Sequence, residues 1–213
     1  MQYYGQLNLD YVIHNRYFSN KTNGTFIECG AFDGVIDSNT LFFYKNLNWT
    51  GFNIEPLPNI YEYLKKNRPN DTNLNMALSD SDGIKKFTQA ISNSVHYYGG
   101  HFGNGSLEHT QEHLNELNNR GCRFETFDIE TITLPTFFDR YKIEKQIDLF
   151  ILDVEGHEGR VLSELYKVNK NLMPKIIAAE YGHCGEEEIN KFLLPLGYVL
   201  DYKDAINLVF KLD

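Results

Sequence analysis

Cysteine is scarce in this chain, and its three copies, Cys29, Cys122 and Cys184, are odd in number and far apart. With no CxxC pair, neither a disulfide framework nor a zinc knuckle is indicated, and a reduced, intracellular setting is expected. No apolar run approaches the ~20 residues of a membrane span. The start, Met1-Gln2-Tyr3-Tyr4-Gly5-Gln6, lacks a basic-then-apolar signal pattern. The expectation is a soluble, cytoplasmic chain. Basic residues are also in short supply: 20 Lys and Arg face 29 Asp and Glu, for a net charge of −9. Nucleic-acid affinity is largely cationic, so a phosphate backbone is not expected as the main partner. A small nucleotide-like cofactor stays open, because local dipoles suffice for it. Internal repeats and linkers are absent too, so the 213 residues are read as one domain, 1–213, with a full-sized core.

Aromatics are plentiful, with 15 Phe and 14 Tyr, which argues against disorder. Residues 1–24 carry an N-terminal helix, its apolar positions Leu9, Val12, Ile13 and Tyr17 at helical spacing. Apolar strands then alternate with helices. Strands are expected at Phe26–Ile27, Thr50–Ile54, Leu74–Leu78, Ile147–Leu152 and Lys175–Ala179, and helices from Ser38, Ile60, Pro135, Glu158 and Glu186. Ser79–Gly83 is a strong turn, with Ile84–Gln89 returning from it as a hairpin strand. Tyr198–Tyr202 and Ile206–Leu212 close the chain as an antiparallel pair. This is an α/β pattern: a mostly parallel sheet with helices on both faces and a C-terminal antiparallel pair. Residues 92–120 interrupt it. Ser92–Ser106 is rich in Gly, Asn, His and Tyr and shows no sheet pattern; Leu107–Asn119 reads as a polar helix. Loops of that length in a compact domain are usually functional or mobile.

Ligands in such sheets lie at the carboxyl ends of the strands. Four acids fall there: Glu28, Glu55, Asp153 and Glu180. After Glu28 comes the turn Gly30-Ala31-Phe32-Asp33-Gly34 and then Ser38-Asn39-Thr40. Glycine allows close backbone approach, and free N–H groups at the following helix start would favour an anionic group. Asp33 either touches the ligand or braces the turn. Glu55, about twenty residues beyond the glycines, suits the two hydroxyls of a ribose. A nicotinamide dinucleotide and S-adenosylmethionine both fit to this point. The loop lacks the spaced glycine triplet of a dinucleotide site, which favours the second.

The stretches Phe26–Gly34 with Ser38-Asn39-Thr40, Trp49–Pro56, Asn75–Ser79 and, above all, Ile147–Glu158 resemble the FkbM-type S-adenosylmethionine-dependent methyltransferases. The four motifs occur in the family's order over most of the chain. The resemblance implies a class I methyltransferase (Rossmann-like) fold and O-methylation of a sugar, glycan or polyketide-type hydroxyl. It also leaves open a homodimer, or fusion to a glycosyltransferase. Carried onto this sequence, Glu28, Gly30 and Ala31 would face the methionine part of the cofactor. Ser38, Asn39 and Thr40 would contact its carboxylate, although a plain helix cap accounts equally for Ser38 and Thr40. Glu55 would hold the ribose, with Asn75 and Ala77 beside the adenine.

An alcohol is a weak nucleophile, so a base or a metal must help. Asp153 and Glu155 stand at i and i+2 where a strand ends, with His157 following; Glu180 ends the next strand, with His183 three residues on. Two mechanisms result. In one, His157 is the base, oriented by a carboxylate. In the other, Asp153 and Glu180, with His183 or His157, hold Mg2+ or Mn2+. A helix-start packing role would also explain His157. Tyr97, Tyr98 and His101, with Phe102, offer stacking faces and hydrogen bonds to a sugar acceptor, unless the segment is only a surface loop. A non-catalytic module that keeps the fold is the remaining alternative, against which the strand-end acids speak.

Overall fold

The computed structural model describes residues 1–95 and 98–213. From the amino end the elements are α1 (Leu9–Tyr17), β1 (Thr25–Cys29), α2 (Leu41–Leu47), β2 (Thr50–Ile54), α3 (Pro58–Asn67) and β3 (Thr72–Leu74). Then come β4 (Ala77–Leu78), β5 (Gly83–Ile91), β6 (His101–Ser106), α4 (Gln111–Asn119), β7 (Arg123–Ile132) and α5 (Leu134–Arg140). The chain ends with β8 (Leu149–Leu152), α6 (Glu158–Leu162), β9 (Ile176–Glu180), α7 (Glu186–Leu193), β10 (Tyr198–Lys203) and β11 (Asn207–Leu212).

Seven strands form one sheet in the order β10-β11-β9-β8-β1-β2-β3. The pairs of β1 with β2 and β8, of β8 with β9 and of β2 with β3 are parallel, whereas β11 runs antiparallel to both β9 and β10. The expected closing antiparallel pair is therefore present. Side chains that alternate along these strands enter two cores. Ile27, Phe150, Leu152, Ile177 and Phe210 pack on one face with Phe137 of α5, Val161 of α6 and Ile189 of α7. Phe26, Leu149, Ile151, Ile176 and Val209 pack on the other with Ile13 of α1 and Phe42 of α2. Burial on both faces is why these strands read as unbroken apolar runs.

The structure departs from expectation between residues 72 and 132. Leu74–Leu78 is not one strand. The Asn75 amide donates to the carbonyl oxygens of Glu55 (2.9 Å) and Pro56 (2.7 Å). The chain turns there, so β3 completes the large sheet and β4 opens a second one. That second sheet has the order β4-β7-β5-β6, and it includes His101–Ser106, expected to lack strand structure. Glycine explains both the strand and its poor legibility. A Cβ on Gly105 would lie 2.3 Å from Gln89 Oε1 and 2.5 Å from the Phe87 ring. Close approach of β6 to β5 requires residues that carry no hydrophobic alternation. The polar helix starts at Gln111 rather than Leu107, because Thr110 Oγ1 accepts from the His113 N–H (3.2 Å) and caps it there. Among the described residues no helix is long and apolar enough to cross a membrane.

Candidate active site

A cavity of about 300 Å³ lies beyond the carboxyl ends of β1, β2, β8 and β9, with β5 and β6 of the second sheet along its far side. Its wall carries Glu28, Glu55, Asp153, Glu155, His157 and Glu180. Thus the four strand-end acids do converge on one space, as strand polarity requires.

The glycine loop is more self-contained than its sequence suggests. Gly30 takes φ +85°, and a Cβ there would stand 1.8 Å from the Asp153 carbonyl oxygen, so only glycine lets the loop cross the end of β8. The N–H groups of Gly30 and Ala31 both donate to the Ile54 carbonyl at 3.1 Å. Asp33 Oδ1 accepts from the N–H groups of Val35 (2.9 Å) and Ile36 (2.8 Å), and its Oδ2 accepts from the Tyr98 hydroxyl (2.6 Å). Asp33 therefore braces the turn.

Glu28 is buried, and its carboxylate organises the next segment. It accepts from Ser38 Oγ (3.0 Å), the Asn39 N–H (2.9 Å) and Thr40 Oγ1 (2.5 Å). Burial raises its pKa, while the nearby Arg68 charge pulls it down. Arg68, which sequence reasoning missed, is fully buried beneath the loop. Its guanidinium donates to Gly34 O (3.2 Å), Ser38 Oγ (3.3 Å), Thr40 Oγ1 (2.9 Å) and Asp71 Oδ2 (2.9 Å), and lies 3.9 Å from Glu28. Thr40 and Ser38 thus bond within the protein, and the amides expected to be free at the helix start are largely engaged. Asn39 differs. It lines the cavity, is buried, and its Oδ1 has no hydrogen-bond partner among the described residues. That oxygen packs against Gly5, where a Cβ would lie 2.3 Å from it.

Glu55 ends β2 with one backbone bond on each oxygen: Phe32 N–H at 3.0 Å and Leu57 N–H at 2.8 Å. Further lone pairs remain for hydroxyl donors. Burial is the main cause of a pKa pushed up to about 7. Ala77, Leu78, Pro56 and Leu57 form an apolar wall next to it. Asn75 does not line the cavity; its amide instead holds the backbone after Glu55. An acid with free lone pairs beside an apolar slot fits the ribose and adenine of an adenosyl cofactor.

On the opposite wall, Asp153, Glu155 and Glu180 bring carboxylate oxygens within 4.8 Å of one another. Burial, then mutual charge, drives the pKa values of Asp153 and Glu180 upward. His183 does not join that trio; its closest grouping is with Glu155 and His113. Glu155 is the common member, which the sequence reading of Asp153, Glu180 and His183 as one set did not foresee. His157 is buried, and desolvation lowers its pKa to about 4. Its Nε2 lies 2.9 Å from Ser79 Oγ, which in turn takes a bond from Lys85 Nζ (2.7 Å).

Of the acceptor-side residues, Tyr97 lies outside the described residues. Tyr98 is spent on the Asp33 turn, and His101 is buried in β6; neither lines the cavity. Phe102, expected beside them, does line it, together with Gly103, Asn104 and Gly105, from a strand that the sequence had disguised as loop.

Comparison with known proteins agrees with this geometry. The family model described as methyltransferase FkbM domain matches residues 28–200. No curated protein is significantly similar to the chain. Among solved structures, the METTL16 MTase domain superposes with a TM-score of 0.51 at 11% identity, over 97% of this chain and 67% of that one. A putative rRNA-methylase from Clostridium thermocellum gives 0.49 at 12% identity, over 99% of this chain and 97% of that one. At 11% identity the likeness to the METTL16 domain concerns the fold alone, a class I methyltransferase fold.

Proposed function

This chain belongs to the methyltransferase FkbM domain family, and from that premise we propose that it methylates a hydroxyl of a sugar or glycan. The observation that carries the acceptor reading is the chemistry of the cavity wall. Carboxylates and an imidazole crowd it, and among the described residues the wall contains no Lys or Arg. A polyanionic acceptor would meet repulsion there, whereas a polyhydroxyl compound meets hydrogen-bond acceptors.

S-adenosylmethionine, when bound, supplies an electrophilic methyl group. Glu55 would hold the ribose hydroxyls, and the Ala77–Leu57 wall would cover the adenine. Asp153 accepts a hydrogen bond from the acceptor and fixes its orientation, and positioning provides much of the rate. His157 takes the proton. Ser79 Oγ receives the Lys85 ammonium (2.7 Å) and lies 2.9 Å from His157 Nε2 and 3.2 Å from Asp80 Oδ1. The other ring nitrogen, Nδ1, is buried, with Glu108 Oε2 3.9 Å away and no hydrogen-bond partner among the described residues. Burial keeps the ring neutral at physiological pH, the form a proton acceptor needs.

Incubation with methyl-labelled S-adenosylmethionine and a panel of monosaccharides and oligosaccharides, read by mass spectrometry, tests the proposal. Label should appear on a sugar oxygen. Label on RNA or on an amine, with none on any sugar, would contradict it.

A further inference from the structure

We infer that Glu155, His113 and His183 form a binding site for a divalent transition-metal cation at the edge of the cavity. The three side chains come from separate elements: His113 from α4, Glu155 from the turn after β8, and His183 from the segment after β9. One ligand atom of each falls within 4.8 Å of the others. None of these pairings is local in sequence, so the fold itself assembles them.

The second line of support is polar groups left without partners. His113 is only 2% exposed, and its Nδ1 has no hydrogen-bond partner among the described residues. Its Nε2 points at Glu155 Oε2 from 3.8 Å, beyond hydrogen-bonding range. That oxygen is itself buried with no hydrogen bond, although His183 Nε2 is 3.2 Å away; the other oxygen, Oε1, accepts from Asn104 (3.2 Å). Buried polar groups are normally satisfied, and here two imidazoles converge on one buried carboxylate oxygen that only His183 approaches closely, an arrangement a cation would complete. Glu155 is also held at φ +56°, a left-handed conformation unfavourable for a residue with a side chain, ahead of Gly156 at +99°. Strain of this kind persists where surrounding structure requires a particular side-chain direction.

The imidazoles of His113 and His183 stack at 3.7 Å, only 5° from parallel. One ion cannot lie in both ring planes at once. His113 is fixed on a helix, so His183 must tilt; it is partly exposed and flanked by Gly182 and Gly185, which gives it room. Two imidazoles and one carboxylate select Zn2+, Co2+, Fe2+ or Mn2+ over Mg2+, which prefers an all-oxygen shell. Since Glu155 also lines the cavity, the ion would border the acceptor space, with Asp153 and Glu180 on the cavity side. There it would polarise the acceptor hydroxyl. Only that last role rests on the methyltransferase reading.

Cobalt(II) is the probe. Titration of chelator-treated protein should give visible d–d absorption that saturates at one equivalent. His183→Ala and His113→Gln should each weaken binding at least about tenfold, while His109→Ala, whose ring lies 5.0 Å from that of His113, should leave it unchanged. His183 is partly exposed, so its variant keeps the proposal testable if His113→Gln misfolds. S-adenosylmethionine binding is measured in parallel by calorimetry. No cobalt spectrum, or equal titrations for wild type and His183→Ala, would overturn the inference and leave a simple His183–Glu155 ion pair. Cobalt binding without S-adenosylmethionine binding would uphold the site while removing the functional reading.

Discussion

Replacing Arg68 by methionine tests how the loop that shapes the cavity is held. The guanidinium is fully buried between the rings of Tyr44 and Phe26, at 4.6 and 5.3 Å, and bonds to Asp71, Gly34, Ser38 and Thr40. Methionine keeps much of the volume but leaves Glu28 and Asp71 buried without their shared countercharge. Removing one partner of a buried ion pair costs about 3–5 kcal/mol. The loss should depend on pH. Burial raises the pKa of both carboxyls, and the Arg68 charge opposes this. Without it, both folded-state values rise further above their unfolded values. A carboxyl raised in this way contributes stability at low pH that is lost as pH climbs through the folded value. The deficit of Arg68→Met should therefore be larger at pH 8 than at pH 5. Urea unfolding followed by the fluorescence of Trp49, the sole and buried tryptophan, measures both. Adding Glu28→Gln should recover about 1 kcal/mol or more at pH 8. A loss below about 1 kcal/mol, or an equal loss at both pH values, would refute the reasoning.

Three further predictions concern the site. Glu55 must be ionised to hold two hydroxyls, and its pKa is about 7; affinity for S-adenosylmethionine should fall about tenfold from pH 8 to pH 6, and Glu55→Gln should flatten that profile in calorimetry. The same raised pKa means that, without ligand, this group's contribution to stability is lost as pH rises from 4.5 to about 7. Gly30→Ala forces a Cβ against the Asp153 carbonyl at a positive φ, and thermal melting should show a loss of at least about 2 kcal/mol. His157→Ala should lower turnover about a hundredfold or more while cofactor affinity stays within a few-fold; unchanged turnover would remove His157 from the chemistry.

The large sheet was legible because its inner strands are buried on both faces, and because Glu28, Glu55, Asp153 and Glu180 mark their carboxyl ends. What was hidden depended on contacts distant in sequence. Arg68 stands in Lys65-Lys66-Asn67-Arg68, which reads as the basic end of a surface helix; its partners Gly34, Ser38 and Thr40 lie about thirty residues upstream. β6 is spelled His-Phe-Gly-Asn-Gly-Ser, with glycines where β5 needs space. Strand periodicity cannot report a steric requirement imposed by a neighbour. His113 was lost within a polar helix, since nothing local distinguishes a buried imidazole from an exposed one. Glu28 was legible as important, yet its partners are Ser38, Asn39, Thr40 and Arg68, whereas a strand-end acid in isolation suggests a ligand contact.

The central claim is that the cavity bounded by Glu55 and Asp153 receives S-adenosylmethionine. Calorimetric titration of the wild type and Glu55→Ala with S-adenosylmethionine and, separately, with NAD tests it most directly. One S-adenosylmethionine per chain, with binding strongly weakened by Glu55→Ala and no binding of NAD, is the predicted result. Binding of NAD alone, or S-adenosylmethionine binding indifferent to Glu55→Ala, would contradict the account.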